Sequence, residues 1–240
     1  MKKLLFLFLM LTSLFSEPIL KFYCGATMAK AMRELANRFE TQNNVKIVII
    51  KGGSGKLYKK IVTTKDADLY LPGAQVYITN DDKGLFTYKK LIGYNRPVIL
   101  VQKGNPKGIR DLNDFDRSDV RVVLGMKNRG SVGKITQKIL RRFKGDDFYE
   151  KIYKKAIKAP TSLEIIQALK ADRADTSINW KAVVFMDDNK KFIDYVNIPY
   201  IAPKQKLFLA VVKYSQYPDI AKKFVDFVFK NKRFMKQKGF

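Results

Sequence analysis

Four short stretches of the 240-residue chain bring small and hydroxyl-bearing residues together: Gly25-Ala26-Thr27, Gly52-Gly53-Ser54-Gly55, Arg129-Gly130-Ser131-Val132-Gly133 and Pro160-Thr161-Ser162. Each follows an apolar run that reads as a strand and precedes residues at helical spacing. The first turn of a helix carries backbone N–H groups with no partner inside the helix, and the positive end of the helix dipole. Several such turns aimed at one point hold an anion without a charged side chain. Small residues let the anion come close to the backbone. Each stretch alone has a plainer reading: Gly52 to Gly55 as a flexible turn, Thr27 as a helix cap. The second stretch is not a P-loop, because Leu57 stands where Ser or Thr would hold magnesium and Ile50 where the first Gly would be. Nor is it a nucleophile elbow, because Lys56 replaces the closing Gly of G-x-S-x-G.

Other chemistry is narrowed by what is missing. The chain has no histidine and one cysteine, Cys24. That excludes Ser-His-Asp and Cys-His catalysis, His-ligated and thiolate metal sites, and disulfides within the chain. No metal and no cofactor is expected. Asp66 and Asp68 stand two apart on a strand and face one side. Asp68 reads as bonding backbone at the strand start, with a glycosidase-type pair left open by spacing alone. Cys24 reads as a small buried filler. Phe22, Tyr23, Tyr58 and Tyr70 read as core residues.

The elements around these stretches alternate. Strands are expected at Ile19–Cys24, Val45–Ile50, Ala67–Leu71, Pro97–Val101, Val120–Leu124, Ala174–Trp180 and Leu207–Val212. Helical faces follow at Met28, Ala31, Met32, Leu35, Ala36 and Phe39; at Leu57, Ile61 and Val62; at Ile135, Ile139, Leu140 and Phe143; at Ile165, Ile166 and Leu169; and at Ile220, Phe224, Phe227 and Val228. Thr161-Ser162-Leu163-Glu164 has the form of a capping box. This pattern predicts an α/β fold with mainly parallel sheets covered by helices. In such sheets ligands sit beyond the carboxyl ends of the strands.

Lys2-Lys3 followed by the uncharged run Leu4 to Phe15 matches a secretory signal with cleavage after Ser16, and is too short to span a bilayer. Lys21-Phe22-Tyr23-Cys24 does not fit a lipoprotein box. Lys and Arg number 47 against 22 Asp and Glu, a formal charge of +25. That balance fits a nucleic-acid binder, but the lysines are spread along the whole chain and no RNP-like run, zinc-finger spacing or basic zipper is present. Nucleic acid is therefore not the expected partner. The basic stretch Lys230 to Lys238 reads as a solvated face, or as one suited to an anionic membrane surface or an acidic patch.

At this point the sequence resembles a family: the periplasmic substrate-binding proteins of ABC importers that take tetrahedral oxyanions, chiefly the molybdate-binding branch. Cys24 to Met32 resembles its first strand-to-helix junction, with Thr27 as the hydroxyl residue. Gly52 to Leu57 resembles its second, with Ser54 at the ligand position. Asp66 to Leu71 and Ala174 to Trp180 resemble two of its strands. A second branch, the accessory-colonisation-factor and adhesin-like binding proteins, is resembled by Ile99 to Pro106 and Ala159 to Trp180. Its members take sulfate-like anions, citrate or phosphorylated small acids. The resemblance spans residues 19–240. It implies a non-enzymatic, monomeric, type II two-lobed binding protein, with residues 17–95 and 205–240 in one lobe, 96–204 in the other, and Pro97–Val101 and Lys206–Val212 as crossings. It further implies a molybdate- or tungstate-like ligand held by Ala26, Thr27, Gly53, Ser54, Ser131, Val132, Gly133, Thr161, Ser162 and Trp180, and an ABC permease as partner. Trp180 stands where the molybdate branch has a Tyr. Arg129 departs from that branch's mainly neutral pocket and is counted with the ligand-binding residues, its guanidinium suited to hold a carboxylate or phosphate bidentately or else set on the rim. A basic surface adhesin without a transport role is the alternative.

Overall fold

A computed structural model describes residues 17–127, 129–186, 188–198 and 202–240. The signal-like segment 1–16 lies outside the described residues. The chain begins with β1 (Ile19–Gly25), α1 (Ala29–Asn43), β2 (Lys46–Gly52), α2 (Ser54–Thr64), β3 (Leu69–Leu71), α3 (Val76–Thr79) and β4 (Phe86–Asn95). It continues through β5 (Pro97–Gln102), β6 (Val123–Gly125), α4 (Gly130–Lys155), β7 (Ile157–Ala159), α5 (Ser162–Lys170), β8 (Thr176–Trp180) and β9 (Ile193–Asn197). It closes with β10 (Gln205–Val212), α6 (Pro218–Lys230) and α7 (Lys232–Gln237).

The strands β2-β1-β3-β10-β4 form a five-stranded sheet, and β8-β5-β9 and β6-β7 form smaller ones. Alternation along β1 decides what covers the first sheet. Phe22 and Cys24 point to one face, where Met32, Leu35 and Phe39 of α1 meet Phe224 and Val228 of α6. Tyr23 points to the other face, with Leu57 and Ile61 of α2. A separate core joins Ile99 and Leu100 of β5 to Ile139 and Leu140 of α4 and Ile165 and Leu169 of α5. These two bodies make the fold two-lobed.

The sheets are mixed. β1 pairs in parallel with β2 and β3, and β6 with β7. β10 is antiparallel to β3 and β4, and β5 is antiparallel to β8 and β9. The antiparallel pairs arise where the chain changes lobe: it leaves the first sheet along β4 and re-enters it along β10. The crossings themselves differ from expectation. Pro97–Gln102 is the middle strand of the second lobe's sheet and Gln205–Val212 lies within the first lobe's sheet. The passage between bodies falls at Arg96, between β4 and β5, and in the stretch 198–204, part of which lies outside the described residues.

α4 contains a break. Lys144 leaves helical geometry and Gly145 takes φ +84°, a conformation that costs glycine nothing. The break turns Phe148, Tyr149 and Ile152 back onto the lobe's core.

The two aspartates are committed to holding the fold. Asp68 accepts from the Lys21 backbone N–H at 2.7 Å, from Ser215 Oγ at 2.6 Å and from the Gln216 N–H at 3.1 Å. Asp66 accepts from Tyr23 Oη and Thr64 Oγ1 and pairs with Lys21. The Thr64 hydrogen bond foremost, with Tyr23 and Lys21, overcomes burial and lowers its carboxyl pKa to about 2. Both carboxylates are thus engaged in structural contacts. Cys24 is fully buried, and desolvation pushes its thiol pKa far up.

Candidate functional site

A cleft of about 770 Å³ lies between the lobes. One wall is the start of α2 with Ala74, Val76 and Tyr77. The other is the start of α4 with Trp180, and Gln205 lies at the edge. Two helix N-termini therefore face the same space from different lobes. Gly53 enters α2 in extended geometry, Arg129 enters α4 likewise, and neither helix has a side-chain cap or an acidic residue in its first turn. Among the described residues, no acceptor meets the leading N–H groups of either helix.

Ser54 and Ser131 carry the geometry further. A Cβ placed on Gly73 would lie 3.7 Å from Ser54 Oγ, 3.7 Å from Ser131 Oγ and 3.7 Å from Asn95 Nδ2. The two hydroxyls, one per lobe, therefore sit around one point, at most twice that distance apart. Each already accepts a fixed hydrogen bond: Ser54 Oγ from the Gly73 N–H at 2.9 Å, and Ser131 Oγ from Trp180 Nε1 at 3.3 Å. A hydroxyl that accepts on one side has its O–H left to donate on another. Two such hydroxyls beside two free helix N-termini make a donor-rich cavity suited to an anion.

Surrounding residues fix this arrangement. Tyr70 Oη donates to the Ser54 carbonyl at 2.8 Å. Tyr77 packs over the first turn of α2, where a Cβ on Gly55 would stand 2.9 Å from its hydroxyl. Asn95 is fully buried, donates weakly to the Gly73 carbonyl at 3.4 Å and leaves Oδ1 unpartnered. Trp180 is 1 % exposed yet lines the cleft. It is at once a core aromatic and a wall of the site.

The remaining expected site residues lie elsewhere. Val132 is buried in the second lobe's core. Gly133 is pressed on the Met126 carbonyl, which an added Cβ would strike; its role is close packing of α4 on the loop after β6. Arg129 is exposed and does not line the cleft. Thr161 caps α5 by accepting from the Glu164 N–H at 3.3 Å, and Glu164 adds a carboxylate to that first turn. Neither Thr161 nor Ser162 lines the cleft, and the Ser162 carbonyl accepts from Asn179 Nδ2 at 3.1 Å. Ala26 is half-buried, its N–H bonded to the Gly52 carbonyl at 3.1 Å.

Thr27 requires a correction. It does not cap α1: that helix begins after Met28 without a side-chain cap bond, and the Thr27 hydroxyl meets Met28 Sδ instead. Thr27 lines a separate 310 Å³ crevice with Glu34, Phe185 and Lys238.

Sequence reasoning missed the cleft's lysines. Lys56 and Lys59 come from α2, Lys134 and Lys138 from α4, and the lining includes no Asp or Glu. Their spacings of three and four residues place each pair on one helix face, which was visible in the sequence.

A family comparison decides the identity of this two-lobed body. The description "Bacterial extracellular solute-binding protein" matches residues 20–240. The chain belongs to the bacterial extracellular solute-binding proteins. A protein of Haemophilus influenzae named as a binding protein is 25% identical over 235 residues, covering 95% of this chain and 92% of its relative. The periplasmic molybdate-binding protein of Azotobacter vinelandii superposes with a TM-score of 0.76 at 15% identity, covering 92% of this chain and 97% of that one. PEB3 with L-phospholactate bound, from Campylobacter jejuni, gives 0.72 at 20% identity, with 92% and 98% covered. These likenesses establish the type II periplasmic binding fold.

Proposed function

We propose that this solute-binding protein captures a small anion between its lobes and delivers it to an ABC permease. In this reading residues 1–16 direct export and are removed, and the mature protein works as a monomer in the periplasm without nucleic acid. The observation that carries the reading is the meeting of Ser54 and Ser131, from different lobes, around Gly73 at two uncapped helix starts. The anion gives up its hydration shell and receives fixed N–H and O–H donors in exchange. Because the two serines belong to different lobes, the ligand favours the closed arrangement, the usual hinge behaviour of such clefts.

The tetrahedral oxyanions molybdate and tungstate fit the donor set. A sulfate-like anion or a small organic or phosphorylated acid is the second reading. It is favoured by a cleft of about 770 Å³ lined by four lysines, a volume typical of organic ligands. A thermal-shift panel of molybdate, tungstate, sulfate, phosphate and citrate tests the proposal. At least one of these anions is expected to raise the melting midpoint, whereas sodium chloride at matched ionic strength is not. A flat response to every anion, in a folded protein, contradicts it.

A further inference from the structure

Resting on the anion-binding reading, a second property follows from the cleft walls. Lys56 and Lys59 project from α2 and Lys134 and Lys138 from α4 into one space whose lining has no carboxylate. Elsewhere on the second lobe lysines have acidic partners: Lys103 with Asp194, Lys151 with Asp116, and Lys127 with Glu150. Among the described residues' ion pairs none involves the four cleft lysines. Like charges three or four apart on a helix weaken it slightly. Here two such pairs face each other across the space that closure narrows. Bringing four uncompensated cations together opposes closure, and a bound anion relieves that opposition in proportion to its charge.

We propose that these four lysines set the charge class of the ligand: the lobes close productively on a dianion or a more highly charged solute, and poorly on a monoanion of the same shape. The serines and helix N-termini recognise an anion as such. The lysines add a threshold on how much charge it carries. Because their side chains are exposed, the threshold is screened by salt.

Tungstate and perrhenate are tetrahedral oxyanions of similar shape, carrying two charges and one respectively. Phosphoglycolate and glycolate extend the contrast to organic acids. Calorimetric titration at neutral pH and low salt compares the wild type with Lys56→Gln/Lys134→Gln, one change per wall. In the wild type the higher-charged member of whichever pair binds is expected to bind at least about tenfold tighter, and the double variant is expected to lose about tenfold of that preference. Added sodium chloride should reduce the preference more in the wild type than in the variant. An unchanged preference in a variant with native circular dichroism overturns the lysine inference while leaving the anion site standing. Failure of all four probes to bind wild type overturns this inference, and the anion reading falls with it only when the thermal-shift panel is flat as well.

Discussion

The side chains that matter most are those whose hydrogen-bonding capacity is already half used. Ser54 accepts from a buried backbone N–H and Ser131 from an indole N–H, so each is oriented to donate. A hydrogen bond to a charged group contributes roughly 1.5–3 kcal/mol. Ser54→Ala or Ser131→Ala should therefore weaken anion binding roughly 10- to 100-fold, about 1.4 kcal/mol being tenfold. Ser54→Ala should also lower stability by about 1 kcal/mol, because the Gly73 N–H loses its acceptor. Calorimetry and denaturant titration of the same preparations separate the two effects. Trp180, the chain's one tryptophan, gives a second readout. Its indole bonds Ser131 at the cleft wall, so saturating anion should shift its emission. A spectrum unmoved by an anion shown calorimetrically to bind would place that anion away from Ser131. Ser54 and Ser131 were legible because a hydroxyl beside glycine at a helix start has few other uses. Thr27 misled because the same residue types also form an ordinary turn, here leading into α1 at Met28.

Helix starts differ by whether their donors are spent. α2 and α4 begin uncapped, whereas α5 begins with Thr161 bonded to the Glu164 N–H and with a carboxylate in its first turn. The T-x-x-E pattern was visible in the sequence, and its consequence is that a capped start repels an anion instead of attracting one. Thr161→Ala should cost about 1 kcal/mol of stability with anion affinity unchanged; an affinity loss like that of Ser131→Ala would return α5 to the site. The long strand β4 was not legible. Its residues include Lys89, Lys90 and Gly93 in a half-buried edge position, so no alternation of apolar residues marks it. β9 escaped for the same reason: only Ile193 of its five residues is fully buried. The antiparallel pairing was equally hidden, since strand direction depends on where the chain changes lobe and not on local composition.

At the scale of the whole molecule, each lobe is tied together by carboxylates that stay ionised. Asp175, 2 % exposed, bonds the Arg121 N–H and guanidinium, both at 2.7 Å. Burial opposes its ionisation, but Arg121 prevails and lowers its pKa. Asp66 is lowered to about 2 in the first lobe. A carboxyl whose folded pKa lies below its unfolded value of about 4 stabilises the fold above that pH, and loses the contribution as pH falls toward the folded value. The thermal midpoint should therefore drop between about pH 4 and pH 2. Arg121→Gln should lower the midpoint at neutral pH and remove part of that acid dependence; an identical profile in the variant would show that the pair contributes nothing. Between the lobes lies the claim on which the function rests, that one anion is held by both at once. Diffraction from crystals soaked in tungstate, recorded at the tungsten absorption edge, tests it most directly. An anomalous peak is expected within hydrogen-bonding distance of Ser54 and Ser131 together. A peak on one lobe alone, or in the crevice beside Thr27, would contradict it.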